Sequence, residues 1–317
     1  MKGVLLINLG TPKSPDPQDV GRYLNEFLSD PRVVDLPRWL WLPLLKLVIV
    51  PLRRRRSAEA YASIWTPEGS PLLVETRRLA ERLQAEMDSA VVDFAMRYGE
   101  PGIRERLERM RGQRVEDLVI IPLYPQFSDT TTRTVLEAVD AALRDLQWFP
   151  RVRTIEKYHD HPAWVEAIAG SIRRFQSEHG KPDKLLFSLH GIPQRYAEAG
   201  DPYRDQCEQS VLDIARALGL SQQDYMLTYQ SRVGREPWLQ PYTDKTLKAW
   251  AKGGVGTVQV VCPGFAVDCL ETLEEIAVEN REYFEEGGGK SLQYIPALND
   301  SPEHVALMKS LAVGERG

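Results

Sequence analysis

The sequence predicts an α/β protein of two similar halves, each a parallel sheet wound with helices. Three observations predict it. Short β-rich runs alternate with longer amphipathic segments along the chain. The alternation runs through four strands, pauses, and runs through four more. Small motifs recur at matching places: Gly10-Thr11-Pro12 and Gly191-Ile192-Pro193 each follow the first strand of a half, and Pro125-Gln126-Phe127 and Pro263-Gly264-Phe265 each follow the third. A length of 317 residues is enough for about two domains of roughly 150 residues, each with its own core.

In the first half the strands are expected at Val4 to Asn8, Val91 to Met96, Leu118 to Leu123 and Arg153 to Tyr158. In the second they are expected at Lys184 to Leu189, Tyr225 to Tyr229, Thr257 to Val261 and Leu292 to Ile295. Helical patterns fill most of the intervals, as the long crossover between parallel strands requires. One of these helices is predicted to start near Asp268. Ligands of such sheets bind outside the carboxyl ends of the strands, so residues just past a strand are the functional candidates.

Composition narrows the function. The chain is 43% apolar and 27% charged, with 40 basic against 45 acidic side chains and a net charge of -5. No general basic field is present to recruit nucleic acid. The three cysteines, Cys207, Cys262 and Cys269, form neither a disulfide framework nor a C-x-x-C metal site, which fits a reducing cytosol. The apolar run after Met1 lasts only from Val4 to Leu9, too short for a secretion signal. Leu36 to Leu52 is interrupted by Pro37, Pro43, Pro51, Arg38 and Lys46, so it does not supply the ~20 apolar residues of a spanning helix. Neither G-x-G-x-x-G after a strand nor G-x-x-x-x-G-K-[ST] occurs, which removes the usual dinucleotide and P-loop cradles.

Two motifs carry chemistry. Phe187-Ser188-Leu189-His190-Gly191-Ile192-Pro193 places a histidine at a strand end, stopped by Gly and Pro. Its imidazole is either a site residue or a histidine satisfied by local hydrogen bonds. Cys262 to Glu275 runs from a strand end through a loop into a helix on which Glu271, Glu275 and Glu279 recur at i, i+4 and i+8. The row reads either as a solvated acidic helix start, a reading that Glu282, Glu285 and Glu286 support, or as a track for a cation. A neutral imidazole facing carboxylates suits an open site for divalent iron or zinc. Aromatic and small polar residues in the loops at Tyr61 to Leu72, Tyr124 to Ser128 and Gln230 to Leu239 could sandwich a flat apolar ligand or simply pack the loops.

Taken together, these segments resemble the ferrochelatase family over nearly the whole chain. The resemblance begins with Asn8-Leu9-Gly10-Thr11-Pro12, includes Tyr23 to Val34 and Tyr61 to Leu72, and passes through Tyr124-Pro125-Gln126-Phe127-Ser128. Its most specific parts are Ser188 to Pro193 and Asp268 to Glu275. It implies insertion of ferrous iron into protoporphyrin IX, in a class II chelatase-like architecture of two Rossmann-like domains with a cleft between them. The expected domains are residues 1–160, completed by a C-terminal helix over 301–317, and residues 161–300, which carry the metal site. The family's metal-site histidine and glutamate map onto His190 and Glu271. Glu275, Glu279 and Asp268 are expected as further metal or proton relay positions, and Tyr124, Gln126, Phe127, Ser128 and Trp238 as porphyrin contacts.

Where many members carry a histidine this chain has Cys269, expected to pack as a small hydrophobe. Some members bind an iron–sulfur cluster in a C-terminal extension; this chain ends at Gly317, so no cluster and no permanently bound cofactor are expected, with iron entering as substrate. The resemblance leaves two other functions standing: a chelatase for coproporphyrin or a cobalt-accepting precursor, and a haem or metal carrier without turnover. Finally, Leu36 to Arg56 is expected to form an apolar lip on the membrane surface of an otherwise cytoplasmic protein. Trp39, Leu40, Trp41, Leu42, Leu44 and Leu45 would insert and Arg53 to Arg56 would meet anionic headgroups. The alternative is that the leucines cover a core and the arginines are solvated.

Overall fold

A computed structural model describes residues 1–314 and contains two four-stranded sheets of identical order. In the first, β1 (Lys2–Gly10), β2 (Ala90–Tyr98), β3 (Asp117–Pro122) and β4 (Arg151–Thr154) lie in the order β2-β1-β3-β4. In the second, β5 (Lys184–His190), β6 (Tyr225–Gln230), β7 (Thr257–Val261) and β8 (Ser291–Ile295) lie in the order β6-β5-β7-β8. Every pairing is parallel. The first strand of each half is therefore central, and helices cover both of its faces. That is why Val4-Leu5-Leu6-Ile7 and Leu185-Leu186-Phe187 read as unbroken apolar runs and are all buried.

The contacts divide the chain into two compact units, Met1–Glu156 with Met308–Gly314, and a second that contains Lys157–Leu307. In the first, Leu5, Ile7 and Ile120 of the sheet meet Leu107, Val135 and Val139 from the helices Ile103–Gly112 and Thr134–Asp145. In the second, Leu186, Val258 and Val260 meet Leu247, Ile276 and Phe284. Burial of such side chains contributes about 1.5–3 kcal/mol each. The helix Pro302–Val313 passes from the second unit into the first, where Arg153 of β4 donates to the carbonyls of Leu311 and Ala312. The last three residues of the helix expected over 301–317 lie outside the described residues.

Three departures from expectation concern elements. The strand expected at Arg153 to Tyr158 lies at Arg151–Thr154, because Arg151 pairs with Asp117 where β3 begins, and Tyr158 beyond it is buried in the connection. The helix expected from near Asp268 begins later and is a π-helix, Glu271–Asn280, continued by an α-helix Arg281–Glu286. A shorter π-helix, Asp129–Arg133, follows the third strand of the first half, so the two halves match even in this uncommon feature. Lastly, only part of the apolar lip is free. Trp41 is buried, with its Nε1 donating to the Leu28 carbonyl at 2.7 Å, and Leu45 is fully buried, while Trp39, Leu47 and Leu52 remain about three-quarters or more exposed. A π-helix, Leu45–Ile49, joins the helices Arg38–Leu44 and Val50–Ile64, and inward and outward side chains alternate along it and the helix before it.

Candidate metal and porphyrin site

His190 is the last residue of β5 and is half-buried. Gly191 follows in a tight place: a Cβ there would lie 3.0 Å from the Gln230 carbonyl oxygen and 3.2 Å from the Trp238 ring, so a side chain would press on both. The His190–Gly191 peptide is held at both polar ends. Tyr203 donates its phenol O–H to the His190 carbonyl at 2.9 Å, and the Gly191 N–H donates to the Gln230 carbonyl at 2.9 Å. The imidazole Nδ1 lies 2.6 Å from the Gly191 carbonyl. A carbonyl only accepts, so Nδ1 carries the hydrogen and, in the neutral ring, Nε2 carries the free lone pair. Trp238 and Phe265 flank the ring, with centroids 6.4 and 6.5 Å away.

Beside the strand end, a buried polar network ties β5 to the π-helix. Ser188 donates to Gln230 Oε1 at 2.7 Å and is bonded to Thr243 at 2.8 Å. Gln230 Nε2 then donates to the Glu271 backbone carbonyl at 2.8 Å and to the Glu275 carboxylate at 3.3 Å. In the wider turn of a π-helix, positions i+4 and i+5 bracket one face, so Glu271 and Glu275 remain neighbours. Glu275 also accepts from the Ser231 N–H at 2.7 Å and from the Ser231 hydroxyl. Ser231 takes a left-handed φ of 63° to make this double contact. Burial of the carboxyl pushes Glu275 up to about 7, against the Ser231 and Gln230 hydrogen bonds that pull it down, and the charge of Glu271 adds to the rise.

The other acidic candidates have different surroundings. Glu279 accepts from the Tyr283 phenol at 2.7 Å. Asp268 is buried, and its carboxylate accepts from Thr272, Tyr294, the Ala297 N–H and Asn299, which anchors the start of the π-helix to the loop after β8. Cys269 is buried, and its thiol is pushed well above the ordinary value first by burial and then by Glu271. Burial does the same to Cys262. His304 is buried, bonded to the Asn299 carbonyl, and lowered to about 4 chiefly by burial.

The second unit thus brings together His190, Glu271, Glu275 and Trp238 at the ends of its strands. Tyr124, Gln126, Phe127 and Ser128 belong to the first unit, in the corresponding loop after β3. There Tyr124 is half-buried and the other three are buried; Ser128 caps the π-helix Asp129–Arg133 by accepting from the Thr130 N–H, and the Arg133 guanidinium lies over the Phe127 ring. Sequence reasoning missed Gln230, Ser231 and Tyr203 as individual residues. Gln230 ends the second strand of its half and Ser231 follows it, the position that the strand-end rule marks, whereas Tyr203 carried no such signal. Among the described residues, no group of three or more His, Cys, Asp or Glu side chains is arranged to hold a metal ion.

Comparisons with known proteins agree with this architecture. The fold is similar to that of SirB from Bacillus subtilis with Fe3+, at a TM-score of 0.58 and 13% identity over 99% of this chain and 95% of that one. It is also similar to CbiX, the terminal enzyme for siroheme biosynthesis in denitrifying bacteria, at 0.54 and 13% over 98% of each. At the sequence level, proteins named ferrochelatase match at much higher identity: 53% in Methylococcus capsulatus, over 98% of this chain and 95% of that protein, and 49% in Vibrio cholerae, over 98% and 96%. The model of the ferrochelatase family matches residues 1–315. With the strand-end histidine, the carboxylate-bearing helix and the full-length match in agreement, the chain belongs to the ferrochelatase family.

Proposed function

We propose that this protein inserts ferrous iron into protoporphyrin IX to form protohaem, with His190 and Glu271 at the reacting face. The observation that carries the reading is the ring of His190, held through Nδ1 so that Nε2 presents a lone pair beside a helix of carboxylates. A free-base porphyrin must lose two N–H protons as the dication enters. Nε2 of a neutral imidazole can take a proton or a metal ion, and the carboxylate of Glu271 can do the same. Glu275, set near 7, is suited to pass protons on and off the site near neutral pH, with Glu279 next along the helix.

Asp268, with four donors on its carboxylate, acts in this reading by positioning the helix. Tyr124, Gln126, Phe127, Ser128 and Trp238 contact the macrocycle, and strain imposed on the ring exposes its nitrogen lone pairs. The reading needs no resident cofactor, since iron is a substrate. It places the protein in the cytoplasm, touching the membrane surface through the exposed part of Leu36 to Arg56; no helix among the described residues is long and apolar enough to cross a membrane.

The test is anaerobic absorption spectroscopy of free-base porphyrin with ferrous or zinc ion. Many porphyrins are converted per protein, His190→Ala and Glu271→Gln lower turnover roughly 100-fold or more while porphyrin still binds, and protoporphyrin is preferred over coproporphyrin. One porphyrin bound per chain without conversion would make the protein a carrier, and His190→Ala at wild-type turnover would remove His190 from the chemistry.

A further inference from the structure

Tyr203 opens the helix Tyr203–Leu218, thirteen residues after His190 in the chain, and is buried. Its phenol reaches back to the carbonyl of His190. The other polar end of that same peptide, the Gly191 N–H, is taken by the Gln230 carbonyl. A peptide is planar, so fixing its oxygen and its N–H fixes the plane and, with it, where the next residue starts. That next residue supplies the carbonyl on which the His190 ring hangs, at 2.6 Å from Nδ1. The phenol therefore acts on the imidazole through two links: phenol to His190 carbonyl, and Gly191 carbonyl to Nδ1.

We propose that Tyr203 is a positioning residue for the insertion reaction: by clamping the His190–Gly191 peptide it keeps the imidazole hydrogen on Nδ1 and the Nε2 lone pair facing the reacting ring. The inference rests on the assignment of His190 to the reacting face. Without the clamp, the peptide can rotate, the Gly191 carbonyl moves off Nδ1, and the ring is free to adopt the other tautomer, whose Nε2 is already protonated and can take neither proton nor metal. Gly191 makes the clamp necessary, because glycine leaves the backbone at this point free to turn.

The test is Tyr203→Phe, which keeps the ring and removes only the hydroxyl, read by 15N-resolved NMR of the histidine ring nitrogens together with steady-state kinetics. In the wild type, His190 shows a protonated Nδ1 and an unprotonated Nε2. In Tyr203→Phe the two tautomers mix, and kcat falls roughly fivefold to tenfold, the equivalent of one hydrogen bond, with the KM for porphyrin little changed. Ile214→Ala is the control for loss of packing: Ile214 is apolar and fully buried on the same helix, three turns beyond Tyr203, so its replacement lowers thermal stability and leaves tautomer and kcat unchanged. If Tyr203→Phe keeps the wild-type tautomer, the inference fails. It also fails if Ile214→Ala shifts the tautomer equally. Neither result touches the role of His190, which would fall only if His190→Ala retained turnover.

Discussion

Glu275 and His190 belong to one hydrogen-bonded neighbourhood around Gln230: the carboxyl is withdrawn from water and held by Ser231, and the imidazole is held by the Gly191 carbonyl. The carboxyl has a consequence for stability. Its folded value of about 7 lies above the ordinary 4.5, so the folded chain retains a proton that the unfolded chain has already released. That contribution to stability is fully present below about pH 4.5 and is lost as pH rises through about 7. Glu275→Gln cannot ionise and lacks this window. Urea denaturation across it should show the wild type losing stability relative to Glu275→Gln as pH rises; parallel curves would mean that burial does not tune this group. The i, i+4 spacing made Glu275 legible in the sequence as a neighbour of Glu271. Its grip by Ser231 was not, because that contact joins residues 44 apart in the chain and depends on a left-handed backbone at a residue other than glycine.

At the scale of elements, all eight strands were legible, since central parallel strands are apolar on both faces and announce themselves as short runs. The displaced one, β4, is an edge strand with Arg151 and Val152 exposed, so its apolar signal is diluted. The π-helices were not legible, because the choice between i→i+4 and i→i+5 bonding is made by tertiary packing and not by residue type. In the lip, hydrophobicity alone did not show that Trp41 and Leu45 turn inward while Trp39, Leu47 and Leu52 turn outward. The cationic side is divided in the same way: Arg54 packs against Gly21 with its Nε buried, whereas Arg53, Arg55 and Arg56 are exposed. Vesicle flotation should therefore show salt-sensitive binding to anionic lipid that weakens when Arg53, Arg55 and Arg56 become serine, by about 1 kcal/mol per charge near the surface. Trp39→Ala should weaken it further, and Trp41→Ala should lower thermal stability instead. Equal recovery of wild type and the triple variant with anionic vesicles would leave the lip a solvated face.

At the scale of the molecule, two units of one topology carry different polar anchors. In the first, Asp30 is buried and accepts from Arg97 at 2.5 Å and from Tyr98 and Thr134 at 2.9 Å, joining the end of β2 to the start of the helix Thr134–Asp145. In the second, the corresponding region is braced by Gln230 and is uncharged on its sheet side. Asp30→Ala would leave the Arg97 guanidinium largely buried without its carboxylate, a loss of about 3–5 kcal/mol. Hydrogen exchange should show the loss first in β1 and β2, with β5 and β7 still protected; uniform loss across both sheets would mean that the units do not open separately. The duplication was legible from repeated motifs at strand ends. The return of the chain to the first unit at Met308–Gly314 has no local signature of its own in the sequence.

That return sets an order of events for a chain emerging from a ribosome. The carbonyls of Leu311 and Ala312 that receive Arg153 are translated only after all of Lys157–Leu307. At roughly 5–20 residues per second, the delay is on the order of 8–30 s. For that interval the β4 edge, with Val152 on its surface, waits without the segment that belongs beside Arg153, and the later half receives its last described residue, Leu307, only four residues before Leu311. The half synthesised first is thus the half completed last.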